Sequence, residues 1–256
     1  MSPERITYVG HGTILMELGG RRVLTDPVLR RRMLRVIHRD PPVPAANVTD
    51  RIDAVLISHL HHDHLDFPSL RRVDRATPIV VPRNAGRTVR RRRFTNVIEL
   101  SPGERFQIDG LEVTGTRAAH EGRRLKFGPH VAAAGYEVAA GGLRIYFAGD
   151  TELFDEMAEM AGRIDVALLP IAGWGPRLEG RGHLTPRTAA EAAAIIRPRV
   201  VVPIHWGTFY RADLRSRAEE FLGAPARQFA ASMAELAPGV RARILRPGEA
   251  LDLGGP

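Results

Sequence analysis

The stretch that most restricts this chain is an apolar run that ends in a crowd of imidazoles. Residues 54–57, Ala-Val-Leu-Ile, are apolar throughout, as expected of a strand covered on both faces. They lead directly into Ser58-His59-Leu60-His61-His62-Asp63-His64-Leu65-Asp66. A buried strand therefore delivers several imidazoles and a carboxylate to the rim of a core. Burying such groups unpaired is costly, and a divalent cation removes that cost. His59 and His61, two apart in extended chain, point the same way and can hold one ion. Asp63 and His64, where the chain turns toward a helix starting near Phe67, can reach a second.

Three further strand ends carry matching residues. His120 lies just past an expected strand at 111–115, Asp150 ends one at 143–148, and His205 ends one at 200–204. Loops leaving the carboxyl ends of several strands can converge on one point, so these residues complete a donor set for two cations. Other β-type runs stand at 6–9, 14–18, 22–25, 79–81, 97–99, 105–108, 134–138 and 166–169. Helical patterns stand at 153–161, at 187–196 behind the N-cap Thr185 and Pro186, and at 212–222, where Leu214, Ala218, Phe221 and Leu222 share a face. Many strands without strict βα alternation favour two mixed sheets with helices outside, and residues 1–256 read as one domain without repeats.

His59-x-His61-x-Asp63-His64, His120, Asp150 and His205 together resemble the ligand set of the metallo-β-lactamase superfamily. That resemblance implies an α/β fold, a four-layer αββα sandwich of two mixed β-sheets flanked by helices. It implies that His59, His61 and His120 hold one metal, that Asp63, His64 and His205 hold a second, and that Asp150 bridges them. Tyr8-Val9-Gly10-His11-Gly12-Thr13, Leu24-Thr25-Asp26-Pro27 and Gly182-His183-Leu184-Thr185-Pro186 are similar to the branch of N-acyl-phosphatidylethanolamine phospholipase D and the L-ascorbate-phosphate lactonases. The flavo-diiron relatives place a glutamate where this chain has His61, so the resemblance implies hydrolysis rather than oxygen or nitric oxide reduction. A nitrogen-and-oxygen donor set suits two Zn²⁺ ions and also accepts Mn²⁺ or Fe²⁺. The expected chemistry is attack by an activated water on a small phosphate ester, phosphodiester or lactone.

Roles around the metals follow from the same positions. Asp63 is expected to bind metal and orient the nucleophile, and His183 to give the leaving group its proton. Asp26 is a candidate acceptor for a ligand imidazole, against a plain turn residue before Pro27. His11 either lines the site or packs beneath it, and His62 points away from the metals. Trp174, Trp206, Phe209 and Tyr210 could wall the substrate or belong to the core.

Composition enters as exclusion. With no cysteine there are no disulfides and no thiolate ligands. No signal peptide or membrane-length apolar run is visible, which leads to the expectation of a cytoplasmic protein. The net charge of +8 comes almost wholly from arginine, Lys126 being the only lysine, which reads more simply as codon bias than as a polyanion-binding face. The expected partner is a small anionic substrate. Nucleic acid is disfavoured because the chain lacks the extra domain of RNA-processing members. An amphipathic 28–37 segment would allow contact with an anionic membrane or would cap the site, and pairing into a homo-oligomer is compatible with the superfamily.

Overall fold

The computed structural model describes residues 4–34, 36–40, 46–124, 130–173 and 182–254. Two seven-stranded sheets lie face to face. The first runs in the order Ala250–Asp252, Arg5–Gly10, Thr13–Leu18, Arg21–Thr25, Ala54–Leu56, Ile79–Pro82, Val97–Leu100. The second runs Arg241–Ala242, Val200–Ile204, Val166–Pro170, Leu143–Phe147, Ala132–Ala140, Leu111–Glu121, Arg105–Ile108. Each combines antiparallel hairpins with parallel strands: Arg21–Thr25 to Val97–Leu100 are parallel in the first, Leu143–Phe147 to Arg241–Ala242 in the second.

Side-chain alternation explains the layering. In the 54–57 run, Ala54 and Leu56 enter the core shared with Tyr136, Val138 and Phe147, while Val55 and Ile57 pack outward on Leu65, Phe67 and Leu70. The run is thus buried on both faces, as its uniform apolarity requires. Pro186–Ile196 and Ala218–Leu236 cover the second sheet, and the short helices Phe67–Leu70 and Gly86–Arg90 help cover the first. The result is the expected four-layer sandwich.

Several local expectations are corrected. The 212–222 helix is a 3₁₀ segment, Ala212–Arg217, followed by the helix Ala218–Leu236. Gly223 and Pro225 are unfavourable inside a helix, yet the buried Ala226, Phe229 and Met233 recur at helical spacing and hold it on the core. Residues 153–161 contain only the 3₁₀ segment Asp155–Met160. The described residues of the amphipathic 28–37 segment contribute to a small sheet. Arg32–Met33 and Ile37–Arg39 pair as a hairpin, joined by Phe209–Arg211 into a three-stranded sheet, because Val28, Met33, Ile37 and Phe209 form their own small core. His120 lies inside Leu111–Glu121, which runs well past residue 115, at the irregularity between Arg117 and Glu121. Among the described residues, no helix is long and apolar enough to cross a membrane.

Candidate metal centre

The site grows from the carboxyl ends of strands in both sheets. Arg21–Thr25 ends at Asp26, which is fully buried. Its Oδ1 accepts from the Ser58 amide at 2.7 Å, and its Oδ2 accepts from the Ser58 hydroxyl at 2.6 Å and faces His64 Nδ1 at 2.7 Å. One carboxylate thus fixes both ends of the loop that follows Ala54–Leu56. The loop's outer side is held by Arg124, whose guanidinium donates to the carbonyls of Leu60 and Leu65 and stacks 5.0 Å over Phe67. Asp66 then caps Phe67–Leu70 through the Ser69 amide. Gly149, at φ +61°, passes so close that a Cβ there would stand 2.6 Å from Ser58 Cβ.

Seven donors converge. His59 Nε2 stands 2.9 Å from His61 Nδ1, and His120 Nε2 stands 3.3 Å from the same atom. Across from them His64 Nε2 and His205 Nε2 are 3.3 Å apart, with Asp63 Oδ2 at 3.6 and 3.7 Å. Asp150 lies between the two sets. Its Oδ2 is 3.1 Å from His64 Nε2 and 3.8 Å from His59 Nε2, and its Oδ1 is 3.3 Å from His205 Nε2. Among the described residues, His59, His61 and His120 form one group able to hold a cation, and Asp63, His64 and His205, with His11, form another.

The hydrogen bonds test whether a cation fits. His120 Nδ1 points to the Gly182 carbonyl at 2.6 Å, His205 Nδ1 to the Ala172 carbonyl at 2.6 Å, and His64 Nδ1 to the Asp26 carboxylate. These partners only accept, so each Nδ1 carries a hydrogen and each Nε2 faces inward, where its lone pair is open to a cation or, at His64, to a proton. The Ser58 hydroxyl donates to Asp26 and so accepts from His59 Nδ1 at 3.0 Å, which leaves His59 in the same state. Inward lone pairs about 3 Å apart repel unless something positive lies between them, and Asp150 Oδ1 is buried without a hydrogen bond. The donor set and its outer supports fit divalent cations.

Protonation agrees with that reading. Burial holds His59 well below the usual imidazole range and His120 at about 4, so both rings are neutral at pH 7, the state in which an imidazole can bind a cation. Burial pushes Asp63 and Asp150 upward, but the surrounding histidines, His64 and His11 foremost at Asp63 and His205 and His64 at Asp150, outweigh it and keep both carboxylates well below their ordinary value. For His64 burial works downward, and the carboxylates of Asp150, Asp63 and Asp26 outweigh it and raise the ring well above its ordinary value. The proton it attracts marks where positive charge is favoured.

The remaining candidates sort clearly. His183 Nε2 lies 3.1 Å from Asp150 Oδ2, with its ring 4.9 Å from that of His120. Asp26 accepts from His64 Nδ1, a contact that a plain turn residue would not make. His62 turns outward onto Arg124 at 3.0 Å. Trp206 is core rather than substrate wall: it is buried, stacks on Tyr8 and donates to the Pro203 carbonyl. Phe209 meets His11 edge-on at 5.2 Å and Tyr210 meets His38 at 5.8 Å; Trp174 lies outside the described residues. Sequence reasoning missed Ser58 and Arg124. Ser58 could have been found from its place between strand and first histidine, whereas nothing marks Arg124 among so many arginines.

Residues 21–206 match the family model described as the β-lactamase superfamily domain. A UPF0173 metal-dependent hydrolase of Caldivirga maquilingensis is 32% identical over 97% of both chains. The N-acyl-phosphatidylethanolamine-hydrolyzing phospholipase D 1 of Caenorhabditis elegans is 30% identical over 85% of this chain and 69% of its own. A metallo hydrolase of Ignicoccus hospitalis superposes with a TM-score of 0.71 at 23% identity, each chain fully covered.

Proposed function

This chain belongs to the β-lactamase superfamily, among its metal-dependent hydrolases, and from that premise we propose a binuclear, zinc-type enzyme acting on a small anionic phosphate ester, phosphodiester or lactone. His59, His61 and His120 hold one cation, Asp63, His64 and His205 the other, and Asp150 lies between. The observation that carries this reading is the pair of converging donor clusters in which His59, His64, His120 and His205 have their outer nitrogens already bonded. Bound divalent cations supply an activated water at neutral pH and stabilise negative charge on the substrate.

The chain's own residues do the rest. Asp63 stays ionised and accepts a hydrogen bond from the attacking water, which fixes its direction. Asp26, Ser58 and the carbonyls of Ala172 and Gly182 keep the imidazoles from turning. His183, with Nε2 beside Asp150, protonates the leaving group. The test is a panel of phosphomonoesters, phosphodiesters and lactones with wild type and His59→Ala. Turnover is expected in wild type, lost on chelation, regained with Zn²⁺ or Mn²⁺, and absent in the variant; an active variant without metal refutes the reading.

A second reading, a phospholipid phosphodiesterase, is favoured by the likeness to the C. elegans phospholipase D and by one surface feature. Leu34 and Val36 are 58% and 56% exposed at the tip of the hairpin behind the exposed Arg30, Arg31 and Arg32. Salt-independent activity without sedimentation on anionic vesicles would eliminate it.

A further inference from the structure

His11 stands where chemistry and backbone preference disagree. It opens the two-residue turn between Arg5–Gly10 and Thr13–Leu18, with Gly10 paired to Thr13. Its φ is +57°, a hairpin value that glycine or asparagine ordinarily supplies. The neighbours explain why the turn lies there. Its amide donates to Thr208 Oγ1 at 2.8 Å, and its carbonyl accepts from the His205 amide at 3.0 Å. A Cβ at Gly10 would meet Thr208 Oγ1 at 2.8 Å, and one at Gly12 would meet His64 Nδ1 at 3.1 Å. None of this calls for an imidazole at position 11. The side chain must answer for itself, and its Nε2 is 3.0 Å from Asp63 Oδ2 in a buried setting.

Ring spacing separates a ligand from a support. Two imidazoles on one tetrahedral ion, at roughly 2.0–2.1 Å per nitrogen, have ring centres roughly 5 Å apart. The pairs assigned to a shared cation span 4.5–5.2 Å: His59 and His61 are 4.5 Å apart, His59 and His120 4.7 Å, His61 and His120 5.1 Å, His64 and His205 5.2 Å. His59 and His64, which belong to opposite halves, are 4.0 Å apart. His11 is 5.4 Å from His64 but only 3.7 Å from His205, tilted by 39°; two rings that close do not share a tetrahedral ion, so the His11 ring lies against His205 rather than beside it on the same ion.

We propose that His11 is a positioning residue of the second cation half: its Nε2–H donates to Asp63 Oδ2, orients that carboxylate, and braces the His205 ring. The proposal rests on the two-cation reading. It assigns His11 a role through Asp63 rather than on the metal.

The test is a Co²⁺ titration followed by visible d–d absorption, with wild type, His11→Phe, His11→Gln, Asp63→Asn and the double variant His11→Phe/Asp63→Asn. Phenylalanine keeps a ring and the strained turn but has no donor; glutamine restores an N–H. Wild type takes up two equivalents. His11→Phe should bind the second roughly 10–100-fold more weakly with the first unchanged, as outer supports of metal ligands typically do. His11→Gln should recover most of the loss, and the double variant should be no weaker than Asp63→Asn alone. Unchanged affinity in His11→Phe, or losses that add in the double variant, would overturn the proposal. Uptake of a single equivalent by wild type would instead refute the two-cation reading itself, before any variant is compared.

Discussion

Asp26→Asn isolates the outer support of the centre, since it changes charge and hydrogen count but not shape. The native carboxylate accepts from three buried donors: the Ser58 amide at Oδ1, and the Ser58 hydroxyl and His64 Nδ1 at Oδ2. An amide has one accepting oxygen, and both arrangements of it conflict with the site. With its oxygen toward His64, its NH₂ faces the Ser58 amide, two donors in contact. With its NH₂ toward His64, the ring must shift its hydrogen to Nε2, the atom 3.3 Å from His205 Nε2 that a cation needs free. The first leaves a buried donor unsatisfied, about 1–3 kcal/mol. In a chain of this size that lowers Tm by about 2–12 °C in the presence of chelator. The second weakens cation binding by about 10–100-fold, or about 1.4–2.8 kcal/mol. The backbone does not confound the test, because asparagine tolerates the φ of +35° as well as aspartate does. Zn²⁺ competition against a chelator of known affinity reads the binding term, and thermal melts of chelated protein read the stability term. Wild-type affinity for both cations in Asp26→Asn would refute the argument that the ligand tautomers are set from outside.

Other consequences follow from the same geometry. His183→Ala should keep wild-type metal content yet lose about 10²–10⁴-fold in kcat, read by steady-state kinetics beside metal analysis. Arg124→Leu should cost about 1–3 kcal/mol for each of the Leu60 and Leu65 carbonyls left without its donor, measured by denaturant unfolding. Gly182→Ala places a Cβ 2.8 Å from His120 Nδ1 at a φ of +70°, so it should weaken the His59, His61, His120 half in the cobalt titration while sparing the other. Because His64 is raised well above the ordinary imidazole value, a proton competes with the cation, and apparent affinity should fall as pH falls; isothermal titration at several pH values would show it, with proton release on binding.

Much of the centre was legible because its donors sit at strand ends, where an apolar run announces a strand and the next polar residue announces its purpose. His59, Asp150 and His205 each follow such a run, and the periodicity that buries Val55 and Leu56 on opposite faces also fixes which way the chain leaves the core. The hairpin at Arg32–Met33 and Ile37–Arg39 was not legible. Its apolar residues mimic helical spacing, and only the tertiary partner Phe209, far along the chain, turns them into a sheet. The helix Ala218–Leu236 was cut short for the opposite reason: Gly223 and Pro225 are locally unfavourable, and the burial of Phe229 and Met233 outweighs them. His11 could not be placed because its role depends on Asp63, Thr208 and His205, and separation in sequence hides all three.

The most direct test of the central claim is the metal stoichiometry of the purified chain, measured by elemental analysis together with anomalous scattering at the zinc edge. Two cations per chain are expected, one among His59, His61 and His120 and one among Asp63, His64 and His205, with Asp150 between them. His205→Ala should retain only the first. A wild-type enzyme that turns over fully with one cation, or two cations bound elsewhere, would contradict the account.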